Sequence, residues 1–154
     1  MKKILILMFI SLLIFLGVVR IIPLKPVVII QNDTNENLYL QADESLFGIE
    51  PAPEEVDKIM KARPDIIVPG GELKLTTSFF SVISEGYELN VGWLIGGRYA
   101  YNSTGGGGQN FLLSSKTGVC SAQLTIKPGH NNFEIINEVG GVCLKKLSPI
   151  KEKY

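Results

Sequence analysis

Cys120 and Cys143 are the only cysteines in the chain. Redox chemistry would place two thiols as C-x-x-C at the start of a helix. Here about two dozen residues separate them. A zinc or copper site needs three or four ligands, and His130 is the sole histidine to join the two thiols. The remaining chemistry is a structural disulfide, formed where the surroundings are oxidising. Closing a loop of that length is worth roughly 3 kcal/mol in the chain-entropy model. Both cysteines lie in strand-like segments that can neighbour one another across the strand Phe133 to Ile136.

The other chemical candidates are thinner. His130 sits in Pro128-Gly129-His130-Asn131-Asn132, a run that turn chemistry explains, because Gly and Asn accept positive φ. General-base work would need a nucleophile and an orienting carboxylate, and no G-x-S-x-G elbow exists. Gly105, Gly106, Gly107 and Gly108 suggest a phosphate loop, but no Lys-Ser/Thr follows and no strand-to-helix pattern surrounds them. They are read as a mobile surface loop that could fold onto a partner. Neither Asp43-Glu44 nor Glu54-Glu55 has the spacing of a catalytic carboxylate pair. The polar run Asn32 to Glu36 lacks a calcium-loop pattern and is read as a hairpin loop. Asn32-Asp33-Thr34 and Asn102-Ser103-Thr104 match the glycosylation acceptor. On these residues the chain is expected not to be an enzyme and to carry no cofactor or metal.

Charge points instead to binding. The whole chain of 154 residues is formally neutral, yet past Pro26 eleven basic residues face fifteen acidic ones. Between Val27 and Asp57 there are eight acids and no Lys or Arg. A mildly acidic domain lacks the positive footprint that nucleic acid requires. The acidic stretch could meet a basic protein, with Asp43, Glu44 and Glu50 as candidate contacts, although a solvated acidic face is the commoner reason for such a run.

The element that positions everything else is the N-terminus. Lys2 and Lys3 precede an apolar run from Ile4 to Val19 in which thirteen of sixteen residues are Ile, Leu, Phe or Val. As a helix continued to Ile22 it would measure about 28 Å, close to the roughly 30 Å hydrocarbon core. Its insertion would gain on the order of 4–8 kcal/mol. A cleaved signal peptide would show small residues in an A-x-A-like pattern. Gly17-Val18-Val19-Arg20 lacks it, and the chain continues apolar through Ile22. The expectation is an uncleaved signal-anchor at residues 1–22, its N-terminus cytoplasmic by the basic-residue bias. The rest would lie in the periplasm or outside the cell. Pro23 to Pro26 form a linker.

Beyond the linker, about 125–130 residues suffice to bury a core without a metal. Val27–Gln31 and Leu38–Gln41 read as a strand pair, plausibly a hairpin. Pro51 and Pro53, early Glu54 and Glu55, and late Lys58, Lys61 and Arg63 mark the one helix expected, its Val56-Ile59-Met60 stripe facing a sheet. Phe79–Ile83 reads as an apolar strand. Tyr87 to Ile95 alternates most cleanly and reads as a central strand. Arg98–Tyr101 continues it, Phe111–Leu113 is short, and Cys120–Ile126, Phe133–Ile136 and Val142–Leu147 follow. Eight to ten short strands with frequent turns predict a mainly β domain over 27–148 and a basic tail over 149–154. The predicted fold is an antiparallel β-sandwich with one short inserted α-helix, with a small barrel as the alternative. The pattern is loosely similar to immunoglobulin-like sandwiches in architecture only, because Trp93 precedes both cysteines.

Together these readings describe a membrane-tethered extracytoplasmic protein-binding or structural module, an accessory subunit of an envelope membrane complex. Its partners would be a protein at or near the membrane and, through residues 4–22, the bilayer, with no nucleic acid or nucleotide. The alternatives are a periplasmic inhibitor or immunity protein binding a basic toxin or enzyme, and a hydrolase secreted after signal cleavage.

Overall fold

A computed structural model describes residues 8–11, 24–138 and 140–150. The chain is mainly β, with two sheets and a few short helices. The strands are β1 (Val27–Asn32), β2 (Leu38–Leu46), β3 (Asp65–Ile67), β4 (Glu72–Thr76) and β5 (Tyr87–Ile95). They continue with β6 (Gly105–Ser114), β7 (Ser121–Ile126), β8 (Phe133–Glu138) and β9 (Lys146–Pro149). Helix α1 (Pro53–Lys61) lies between β2 and β3, and α2 (Phe79–Ile83) between β4 and β5.

One sheet has the order β4-β1-β7-β8 and the other β3-β2-β5-β6-β9. Alternate residues of each strand turn inward, as the two-residue period requires. Val28 and Ile30 of β1 and Ala122, Leu124 and Ile126 of β7 meet Leu38, Leu40, Val91, Trp93, Ile95, Phe111 and Leu147 of the other sheet in one core. Phe133 of β8 stands edge-on to Trp93 at 5.4 Å between ring centroids, closing the core on that side.

Several expectations are corrected. The sheets are not wholly antiparallel: β1 and β7 run parallel, Val27 beside Ser121 through Asn32 beside Ile126. A parallel pair needs a long crossover, and the chain from β2 through β6 supplies one. β1 and β2 are not a hairpin, since they lie in different sheets and the 33–37 segment crosses between them. The two sheets share no strand and form no closed barrel. Phe79–Ile83 is helical, because Ser78 caps it by accepting from the Ser81 amide at 3.2 Å. Among the described residues the domain therefore has two α-helices where one was expected. Arg98–Tyr101 does not continue β5; Gly96 (φ 79°) turns the chain into a 3-10 turn over Ala100–Asn102. The four glycines form no mobile loop: Gly105 to Gly108 open the ten-residue β6, paired with Ile95 to Gly92 of β5. The final strand begins at Lys146 rather than Val142.

Two ends of the molecule can be told apart from the registers. Val27 lies opposite Thr76 and beside Ser121, and Leu46 lies opposite Tyr87. The Glu44 carboxylate reaches Ser78, just past Thr76, so these positions share one end. Leu24 leads in there, accepting a 3.0 Å hydrogen bond from the Leu144 amide. This is the inner end. At the far end the Asn32 side chain donates to the Ile67 carbonyl at 2.9 Å, with Ile95 and Gly105 close by. Among the described residues no helix is long and apolar enough to cross a membrane. The expected anchor at residues 1–22 lies outside the described residues apart from a helical turn at 8–11.

Candidate functional site

Helix α1 forms for the reasons its sequence gives. Pro53 opens it, Glu54 and Glu55 occupy the first turn, and Glu55 Oε2 accepts from the Ala52 amide at 3.1 Å. Lys61 pairs with Asp57 one turn away. Val56 and Ile59 of its apolar stripe do not seal against the sheet as expected. Val56 is 43% exposed and Ile59 only half-buried, so α1 stands off the sheet rather than sealing it. Proline on both flanks and a helix of nine residues leave too little apolar face to hold it down.

The space beneath α1 is a cleft of about 550 Å³ along β2. Leu40, Ala42 and Leu89 with Leu75 of β4 and Ile59 of α1 give it apolar surface. Four acidic residues, Asp43, Glu44, Glu55 and Asp65, are among its lining, with Arg63 the one basic residue. The carboxylates of Asp43, Glu44 and Glu55 are held by hydrogen bonds. Asp43 accepts from Asn90 Nδ2 at 3.1 Å, and the same nitrogen donates to Ser45 Oγ at 2.8 Å. Ser45 in turn donates to Glu88 at 3.3 Å. Glu44 accepts from the Ser78 amide and from the hydroxyls of Ser78 and Ser81, anchoring the start of α2. A site of this kind accepts a cationic side chain whose alkyl stem lies on apolar walls. Among the described residues no group of three or more His, Cys, Asp or Glu side chains is placed to hold a metal ion.

The structure brings Asp43 and Glu44 into this cleft but places Glu50 apart, in a shallow depression with Pro51, Val56 and Asp57. Asp65 and Arg63 were not singled out from the sequence. Asp65 sits opposite Leu40 only because β3 pairs with β2, a tertiary fact with no local signal.

Cys120 and Cys143 form a disulfide, their Cα atoms 5.6 Å apart. It lies at the inner end, where the Val27 amide donates to the Cys120 carbonyl at 2.9 Å. Gly105 to Gly107 are explained by close approach. A Cβ on Gly105 would collide with the Gly129 carbonyl, and one on Gly107 would lie 2.8 Å from Trp93 Cζ2. His130 belongs to that same turn, bridged to Gly106, with Asn131 at φ 48°. Nearby, the Lys127 pKa is raised by its hydrogen bond to Glu134, and by the charge of the same carboxylate. Of the two glycosylation acceptor sequences, Asn32 is fully buried, with its amide donating to Glu36 O and Ile67 O. Asn102 is exposed. The far-end turn also presents Arg98 over Tyr99, with Tyr99 stacked on Tyr101 at 5.4 Å.

Comparison with family models, curated proteins and solved structures finds no match for this chain.

Proposed function

We propose that this chain is a membrane-tethered extracytoplasmic binding module, an accessory subunit that holds a basic segment of a protein partner in the cleft between β2 and α1. The observation that carries the reading is the cleft itself, lined by four acidic residues, one arginine and apolar walls. Charges arranged this way select and steer a cationic partner. The apolar run from Ile4 to Ile22 supports the tether, and the Cys120–Cys143 disulfide fits an oxidising compartment. The two-sheet body, immunoglobulin-like in architecture, is then a rigid mount that keeps the cleft near the membrane and raises the effective concentration of a membrane partner. An inhibitor or immunity protein would use the same acidic cleft against a basic toxin or enzyme. The identity of the bound protein separates the two readings.

The test compares the full chain with a variant carrying Asp43→Asn, Glu55→Gln and Asp65→Asn, each purified from gently solubilised membranes. Proteins that co-purify are identified by mass spectrometry. The expected result is a partner with a basic extracytoplasmic segment, retained by the parent and lost by the variant. Equal retention by both, or no retained protein, would overturn the proposal.

A further inference from the structure

The inner end of the domain carries an apolar rim that the core does not use. Phe47 and Ile49 follow β2, Phe79, Phe80 and Ile83 form most of α2, and Leu144 lies beside the disulfide. Each of these six side chains is between 50% and 62% exposed. They lie at one end for a topological reason. Thr76 pairs with Val27 and leads into α2, Leu46 pairs with Tyr87 and leads to Phe47, and Leu144 is bonded to Leu24. Further ties hold the rim in shape: the Phe47 amide donates to the Gly86 carbonyl at 2.7 Å, and Phe80 stands edge-on to Tyr87. A five-residue helix held by a Ser78–Glu44 cap, with three of its large apolar side chains turned outward, is a costly way to fold unless something covers them.

We infer that this rim docks on the surface of the lipid bilayer, and the inference rests on the tethered reading above. The length of chain decides the occupant. The apolar run ends at Ile22, and Leu24 is already fixed to Leu144. Two extended residues span about 7 Å at most. The headgroup region on each side of the hydrocarbon core is itself roughly 5–8 Å thick. A chain whose run to Ile22 spans the bilayer therefore has no room to hold its inner end clear of the headgroups. The end pressed there is the one that presents Phe47, Phe79 and Phe80. Charge sets the kind of surface. Lys25, Lys116 and Lys146 lie at the same end as Glu50, Glu85 and Glu138, so acids balance bases and the rim has no excess of positive charge to seek anionic lipid. It docks by burying apolar side chains at the interface, and zwitterionic lipid suffices. The cleft beside α1 then opens to the side, and the Tyr99–Tyr101 stack points away from the membrane.

The test uses the full chain reconstituted in phosphatidylcholine vesicles, with and without bromine on the upper acyl chain to quench nearby tryptophan. Trp93 is buried in the core and supplies an internal baseline. Phe47→Trp and Phe80→Trp add a reporter at the rim, and Tyr101→Trp adds one at the far end, where the side chain is 85% exposed. All three sites are exposed, so folding is not at stake. The added rim emission should fall at least about twofold in brominated vesicles, and the added far-end emission should not change. The rim result should not depend on including anionic lipid. A chain that floats with the vesicles while its rim reporters are quenched no more than the far-end one keeps the tether and overturns the docking. Blue-shifted but unquenched rim emission means a protein surface covers the rim, which also overturns it. A chain that does not float with the vesicles overturns the tether and the docking together.

Discussion

Replacing Gly105 and Gly108 with alanine, one at a time, separates two pictures of the glycine run. In a mobile loop either change stabilises by about 0.4–1 kcal/mol, because the unfolded chain loses freedom. In β6 the two positions differ. A Cβ on Gly105 would collide with the Gly129 carbonyl and lie 3.1 Å from Ile95 Cδ1. The Gly129 turn cannot simply retreat. It is tied by the Asn131 amide to the Gly106 carbonyl at 2.7 Å, and Gly129 holds φ at 110°. Overpacking of this kind costs about 1–3 kcal/mol, so after the entropic gain the net loss is up to about 2.6 kcal/mol. Gly108 is exposed, and the nearest atom to its Cβ is the Val91 carbonyl oxygen at 3.4 Å. There the entropic gain stands alone. Urea unfolding of the full chain in mild detergent, followed by the single tryptophan, reads both. With a slope near 2 kcal/mol per molar, Gly105→Ala lowers the midpoint by up to about 1.3 M. Gly108→Ala raises it by about 0.2–0.5 M. An equal rise in both variants would refute the close packing of β6 against the 128–132 turn.

Three further outcomes follow from the same geometry. Removing the disulfide with Cys120→Ser and Cys143→Ser should cost about 3 kcal/mol, seen as a lower urea midpoint, while the parent shows no alkylatable thiol before reduction. Asn32→Asp should cost about 2–6 kcal/mol, because the carboxylate faces the Glu36 and Ile67 carbonyls that the amide now satisfies; a loss under 1 kcal/mol would contradict that hub. Glu44→Ala and Ser81→Ala should be non-additive by more than about 0.5 kcal/mol in a double-mutant cycle, since Ser81 Oγ donates to Glu44 across the gap between β2 and α2.

What the sequence disclosed depended on whether the deciding forces were local. The alternation in Tyr87–Ile95 and Ser121–Ile126 is read directly as buried and half-buried positions, and both are strands. The prolines and early acids around Pro53 located α1 to within a few residues. Two cysteines, about two dozen residues apart in strand-like segments, located the disulfide. By contrast, five apolar residues from Phe79 to Ile83 fit a strand or a helix equally by periodicity. The choice was made by Ser78 and by Glu44, thirty-four residues away. Four glycines read as a loop by composition, because the turn that needs their missing side chains lies more than twenty residues downstream. The parallel pairing of β1 with β7 and the stand-off of α1 that opens the cleft are likewise non-local. Of the cleft, Asp43 and Glu44 were legible as acids that could meet a partner; Asp65 and Arg63 were not.

The central claim is a domain tethered outside the cytoplasm by its own N-terminal segment. It is tested most directly by the intact mass of the chain taken from alkali-washed membranes, with thiols trapped by acid and alkylated. The expected result is one species that retains residues 1–22 and carries no alkyl group. A chain found only in the wash, shortened past Ile22 or alkylated at both cysteines would contradict it.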